Sequence, residues 1–481
     1  MADKAAVVLF SHVSNDNSIT GAEKLLLFFA RELSSYFDCL LVAPQEGKLT
    51  RQARHHGISV ELLPIPLVYG MYTPYAGLEE DIRSFQEARE FKEMKAWLEQ
   101  RRPAFIVTST CVHVLPAVAA KSLGIPVVWK ISEIITENEN TQLSINVIDR
   151  FSDQIICISQ TAALSFTEEI RASKIALLPP TWDDKGMMTG AWSKLRGERR
   201  RELSVKPGNP LVGYISSFII WEKGLEHFIH MAILVAQQRP DVRFLVIGEP
   251  RDKEYYSRCK RRVKLEGLSS RFRFEGYEES LSEAYCAMDV LVVPSLVREG
   301  FGMTAMEGLS FGTPVVAYDS GGLGEIMRAV DCSEGLVPPE NSEALAERVE
   351  ALLAQPVLAA TIGARSRGRV IGLYGPAAYR ERLRGLAEAW LLRWTGPAAA
   401  AVPAPAEPPA GEAAGESAAP AQAPQRSPRG RRAAKRRGRL RRKLARRAVT
   451  PRSARRVKRP RRTSRRRRTS RKRRSAAARR R

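Results

Sequence analysis

The chain has 481 residues, with 77 Lys or Arg against 52 Asp or Glu and a formal net charge of +25. That length exceeds one ordinary core and predicts two compact domains with an additional piece. Of the 77 basic residues, 31 lie in the 56 residues from Arg426 to Arg481, where no acid occurs, so the other 46 face all 52 acids and residues 1–425 are mildly acidic; a basic globular body built to grip nucleic acid is thereby excluded.

The first half alternates short apolar strands with amphipathic helices. Ala6–Phe10 reads as a strand, followed by a polar loop from Ser11 to Thr20 and a helix carrying Ala22, Leu26, Phe29 and Leu33 on one face. Cys39–Ala43, Phe105–Val107, Ile125–Trp129 and Gln154–Ile158 are further buried strands, with a helix predicted over Glu80–Gln100. The pattern predicts a parallel sheet covered on both faces. It restarts after Pro179-Pro180 with Leu211–Ile215, a helix from Gly224, and strands Arg243–Gly248, Phe272–Phe274, Val290–Pro294 and Pro314–Ala317. The predicted fold is α/β: two Rossmann-like doubly wound domains, 1–185 and 186–375, facing a ligand cleft at their C-terminal strand edges. A helix at 376–396 is expected to pack back on the body. Residues 397–425 form a Pro/Ala-rich linker, and the like-charged 426–481 a tail expected to be disordered. The six cysteines form no CxxC or metal-ligand spacing and read as buried thiols of a reducing compartment. No run reaches the ~18 apolar residues of a membrane span, and no cleavage site follows Met1, so a cytoplasmic location is expected, with peripheral attachment at the inner face of the membrane as its variant.

The chemistry concentrates in Pro294–Gly308 and Gly312–Glu325. A strand ends at Pro294, Glu299 follows on a loop, and Gly300 and Gly302 admit close approach to backbone amides. A helix starting near Met303 then turns its positive end to the same place. Such amides suit a diphosphate. Glu307, one turn into the helix, suits ribose hydroxyls, and Glu299 suits sugar hydroxyls.

With its two glutamates separated by seven residues in a Glu299-Gly-Phe-Gly302 context, the sequence resembles the retaining glycosyltransferases of family 4, which have the GT-B fold. Gly21-Ala-Glu23, Lys223-Gly224, the strand ending at Gly248, Asp289–Ser295 and Gly321-Gly-Leu-Gly-Glu325 fall in register with that family, over roughly residues 5–395. The resemblance implies transfer of a sugar, with retention and without metal, from a nucleotide-diphosphate sugar to a saccharide or lipid-linked acceptor; the donor is a co-substrate and no cofactor is expected. It implies Glu299 and Lys223 as catalytic residues, and Gly300, Phe301, Gly302, Met303, Glu307, Gly213, Gly321 and Gly322 as the donor site. Gly21, Ala22, His12, Ser132 and Glu133 form the acceptor or phosphate loops. The chain departs from the family in four places: Tyr214 stands where an Arg commonly follows the glycine ending the second domain's first strand, the loop to Lys223 is long with an apolar insertion Phe218-Ile-Ile-Trp221, Ser132 stands where many members have His, and Pro180-Thr-Trp-Asp183 stands for a frequent Asn-Gly-Val-Asp.

Ordinary readings stand beside these. Gly21 serves helix–sheet packing as readily as phosphate contact, His12 and His113 near strand ends are more simply structural, and Glu325 caps its helix or binds sugar. Tyr69, Tyr72 and Tyr75 stack on sugars or merely pack their loop. The tail offers charge to anionic lipid or nucleic acid, without aromatic residues for base stacking, or reflects arginine-rich coding alone. The alternative to an enzyme is a catalytically degenerate GT-B protein that binds a polyanion through this tail.

Overall fold

The computed structural model describes residues 4–16, 19–182, 189–278 and 280–395. The linker 397–425, the tail 426–481 and the junction between residues 182 and 189 lie outside the described residues.

Two parallel sheets organise the chain. The first comprises β1 (Ala6–Phe10), β2 (Asp38–Ala43), β3 (Ser59–Leu62), β4 (Phe105–Ser109), β5 (Val127–Ile131), β6 (Gln154–Cys157) and β7 (Ile175–Leu177), in the order β3-β2-β1-β4-β5-β6-β7. The second comprises β8 (Leu211–Ile219), β9 (Arg243–Pro250), β10 (Phe272–Glu275), β11 (Val290–Val293), β12 (Val315–Tyr318) and β13 (Leu336–Val337), in the order β10-β9-β8-β11-β12-β13. Every residue of β4, β5, β11 and β12 is buried, as strands covered by helices on both faces must be. Strand order reverses between β1 and β4 and between β8 and β11. The loops leaving those strands diverge there and open a crevice, so the segments after Phe10, Ser109, Ile219 and Val293 are the ones placed to hold a ligand.

Local chemistry fixes the entry to the first helix, Gly21–Leu33. The Thr20 amide donates to Glu23 Oε2 at 2.7 Å and the Glu23 amide donates to Thr20 Oγ1 at 3.3 Å, a reciprocal cap that sets the helix start against the crevice. The strand expected to end at Ile215 runs to Ile219, with an irregularity between Ile215 and Phe218. Phe218 and Ile219, expected in an apolar loop insertion, therefore belong to β8. The helix expected over 80–100 is two, Leu78–Gln86 and Arg89–Arg101.

After the helix Pro356–Tyr374, Gly375 introduces Pro376–Trp394, which crosses back to the first domain. Trp390 is fully buried against Phe105 of β4, with ring centres 5.3 Å apart, and Tyr379 meets Phe28 edge-on at 5.2 Å. This helix completes one face of the first sheet's core. Trp390→Ala is expected to lower stability by about 3–5 kcal/mol, the cost of emptying a large buried aromatic site. Urea unfolding followed by tryptophan-independent circular dichroism checks this; an unchanged midpoint would show that the helix is not part of the core.

Candidate active site

A cleft of 520 Å³ opens between the two domains. Ser216, Ser217, Gly248, Tyr277, Met303 and Glu307 line it from the second domain, and Gly21, Lys24, Arg31, His55 and His56 from the first. Glu307 lies on the helix Met303–Ser310 and accepts a hydrogen bond from the Tyr285 hydroxyl at 2.7 Å. Burial raises its carboxyl above the usual range, against the lowering effects of the Tyr285 bond and of Lys24 across the cleft. The helix starts at Gly302, whose φ of +104° is a left-handed conformation that side chains resist.

Glu299 sits on the other side of the same loop. Its Oε1 receives Lys223 Nζ at 2.6 Å and the Ser295 hydroxyl at 2.7 Å. Lys223 comes from the 3-10 turn Trp221–Lys223 following β8, and the Tyr214 hydroxyl donates to its carbonyl at 3.1 Å. The loop's backbone is gripped from behind: Glu299 bridges to Gly321, and the Gly322 amide donates to the Glu299 carbonyl at 2.7 Å. A methyl group on Gly322 would fall 2.4 Å from the Phe301 backbone, and one on Gly300 would fall 2.4 Å from the Ser132 carbonyl oxygen. These glycines permit close packing of backbone on backbone.

The first domain adds a buried polar floor. Glu133 Oε2 accepts from the Ser132 and Cys111 amides at 3.1 and 3.3 Å, tying the loop after β5 to the loop after β4. Lys130, 4% exposed at the end of β5, has its ammonium group depressed to about 8 by burial, although Glu133 opposes the shift. Burial holds His12 down to about 4, and burial with the neighbouring His12 holds His113 down to about 3, so both are neutral in the fold. His113 stands at the N-cap position of the helix Val114–Ser122 without a side-chain capping bond, and packs edge-on to Phe10 at 6.2 Å. Tyr72 is half-exposed and does not line the cleft, and burial followed by the nearby Cys111, Glu133 and Glu299 raises its hydroxyl; Tyr75 bonds Asp81.

Several expectations change. Gly213 lies inside β8, where an added methyl group would strike the Met288 sulfur at 2.1 Å; it is a packing glycine and not part of the cleft. Tyr214 is buried in the second domain's core, so the residues that β8 delivers to the cleft are Ser216 and Ser217, and the comparison of Tyr214 with a ligand-facing arginine falls away. The Phe301 side chain is buried against Tyr374 with ring centres 5.3 Å apart, leaving only its backbone to the loop's outer surface. Gly321 and Gly322 support the loop from behind. Of the expected site residues Gly21, Met303 and Glu307 line the cleft, whereas Lys223, Glu299, Gly300, Gly302, Ala22, His12, Ser132 and Glu133 do not line that cavity. Glu325 caps neither its own helix nor a cavity: it accepts hydrogen bonds from Gln160 and Thr161 of the first domain. Sequence reasoning missed Tyr285 and Ser295, the partners of the two glutamates. Ser295 directly follows the strand end at Pro294, which is a signal; Tyr285 lies 22 residues before Glu307 and carries none.

The fold and cleft are those of a two-domain α/β protein of GT-B architecture. Residues 209–355, within the second domain, match the family glycosyl transferases group 1. The chain is 30% identical over 199 residues to the 2-deoxystreptamine glucosyltransferase of Streptomyces kanamyceticus, covering 41% of this chain and 50% of the relative. It is 31% identical over 142 residues to the lipopolysaccharide core biosynthesis mannosyltransferase LpsB of Rhizobium meliloti, covering 29% and 40%. The chain thus spans half or less of the length of these relatives. Among solved structures, Anabaena HepE in complex with UDP and glucose superposes with a TM-score of 0.65 at 20% identity, over 80% of this chain and all of that one. The lipopolysaccharide glycosyltransferase WaaG superposes at 0.56 and 13% identity, over 80% and 99%. Among the described residues no helix is long and apolar enough to cross a membrane.

The neutral histidines make stability depend on pH. The unfolded chain takes up a proton at each near 6.5, whereas the folded state refuses it until about 4 at His12 and about 3 at His113. The unfolded state therefore binds more protons in that window, and stability falls as pH drops below 6.5, with a slope of up to ~1.4 kcal/mol per pH unit for each histidine. Urea midpoints between about pH 7 and 5.5, above the range where carboxylates dominate, should decline in the wild type and more shallowly in His113→Asn; equal slopes would show that His113 is not buried neutral.

Proposed function

We propose that the protein transfers a glycosyl group from a nucleoside-diphosphate sugar to a saccharide or lipid-linked acceptor, with retention of configuration and without a metal ion, in cell-surface polysaccharide or glycolipid synthesis. The observation that carries this reading is the placing of Glu299 and Glu307 at opposite ends of one glycine loop, the first paired to Lys223 and the second on the wall of a cleft between two domains. Glu307, oriented by Tyr285, would accept from ribose hydroxyls. The base would lie towards Gly248 and Tyr277, and the diphosphate would meet Lys223 and the amides at the start of the Met303 helix. Both Lys223 and Ser295 bond Oε1 of Glu299, which leaves Oε2 to hold a donor-sugar hydroxyl.

In the reaction the bond between the anomeric carbon and the phosphate oxygen breaks, and its electron pair leaves on the diphosphate. The acceptor hydroxyl bonds to the anomeric carbon on the same face and passes its proton to the departing phosphate. Fixed positive charge aimed at the diphosphate stabilises this transition state more than the ground state. The intact Lys223–Glu299 pair favours an enzyme over a degenerate binding protein. We read the basic stretch 426–481 as an electrostatic tether to anionic lipid, supported by its 31 basic residues and the absence of any acid.

HepE was solved with UDP, which makes UDP the first nucleotide to test. Thermal unfolding of the full chain with millimolar nucleoside diphosphates and EDTA should give a higher midpoint with one base, since a ligand bound only to the native state stabilises it by mass action. The shift should vanish in Glu307→Ala. No shift with any nucleoside diphosphate in the wild type would overturn the proposed donor site.

A further inference from the structure

Besides the last helix, which crosses to the first domain, a cluster of short, directed contacts joins the two domains among the described residues. Glu325, on the helix Gly322–Ala329 of the second domain, accepts from the Gln160 amide at 2.9 Å through Oε1, and from the Thr161 amide and hydroxyl at 2.7 Å each through Oε2. Gln160 and Thr161 open the short helix Gln160–Ala163 that follows β6 of the first domain. Beside them, the Ser159 hydroxyl donates to the Gly300 carbonyl at 2.5 Å. A further crossing, Arg298 to Glu137 at 2.7 Å, is exposed on both sides and contributes little.

The helix that carries Glu325 also begins at Gly322, whose amide holds the Glu299 carbonyl. One helical turn therefore separates the contact with the first domain from the backbone of Glu299. Glu325 does not line the 520 Å³ cleft, and both of its carboxylate oxygens are occupied by donors of the first domain. Three hydrogen bonds to one carboxylate, two of them from backbone amides that cannot move independently of the first domain, are strong enough to set domain position.

We propose that Glu325 is a cross-domain positioning residue: it fastens the first domain to the Glu299 loop and so fixes the closed cleft in which donor and acceptor meet. The inference rests on the glycosyl-transfer reading above. Loss of the latch loosens the approach of the acceptor to the donor, which lowers turnover, while the nucleotide keeps its second-domain contacts.

The test uses full-length wild type, Glu325→Ala, Glu325→Gln, Thr161→Val and the double variant Glu325→Ala/Thr161→Val. UDP affinity is measured by calorimetry and turnover by UDP release from a panel of UDP-sugars. Glu325→Ala is expected to keep UDP affinity within about twofold and donor KM nearly unchanged while kcat falls about tenfold or more, as the loss of charge-assisted hydrogen bonds implies. Glu325→Gln should recover part of kcat. Thr161→Val should lose part of it and add little to Glu325→Ala, since both remove the same contact. Hydrogen exchange at the Gln160 and Thr161 amides should quicken in Glu325→Ala. UDP affinity falling in step with kcat would make Glu325 a ligand-binding residue and overturn the proposal, as would unchanged kcat in Glu325→Ala. A wild type that releases nucleoside diphosphate from no nucleotide sugar, of uridine or of any other base, would overturn the transfer reading, and with it the reaction that the latch serves.

Discussion

The site depends on one backbone interaction, the clamp of the Glu299–Phe301 loop by Gly321 and Gly322. Glu299 bridges to Gly321 and the Gly322 amide closes on the Glu299 carbonyl at 2.7 Å, with no room for a side chain at Gly322. Without that clamp the loop after β11 would have no fixed path. With it, the Glu299 carboxylate is turned to Lys223 and Ser295, and the chain re-enters a helix at Gly302 with Glu307 one turn further on. The two acids are thus joined by a loop whose backbone is clamped at Glu299.

Their environments differ accordingly. Glu299 shares a half-buried ion pair with a lysine, whereas Glu307 takes a hydrogen bond from a tyrosine hydroxyl and has its carboxyl raised by burial. The first domain contributes His12 and His113, which burial keeps neutral down to about pH 4 and 3, and Lys130, whose ammonium group burial depresses to about 8.

Much of this was legible in the sequence because parallel strands buried on both faces are apolar runs, and because a glycine-rich turn between a strand and a helix leaves a local mark. Glu299, Glu307, Lys223 and the return of the last helix to the body came from such local signals. What the sequence hid was of longer range. The bond from Tyr285 to Glu307 spans 22 residues and that from Thr161 to Glu325 spans 164, and neither leaves a spacing to read. Gly213 and Tyr214 lie inside β8 and face the second domain's packing, and it is Ser216 and Ser217 further along the strand that reach the cleft.

The central claim is that the loop from Glu299 to Glu307 holds a nucleotide sugar so that its anomeric bond can break. Chromatographic detection of nucleoside diphosphate released from a panel of nucleotide sugars tests it most directly, with full-length protein in EDTA, and with Glu299→Gln beside the wild type. The account predicts release from sugars of one nucleotide by the wild type, slowed by about 10²-fold or more in Glu299→Gln as loss of a transition-state contact implies. Release from none of them by the folded wild type, or equal release by Glu299→Gln, would contradict it.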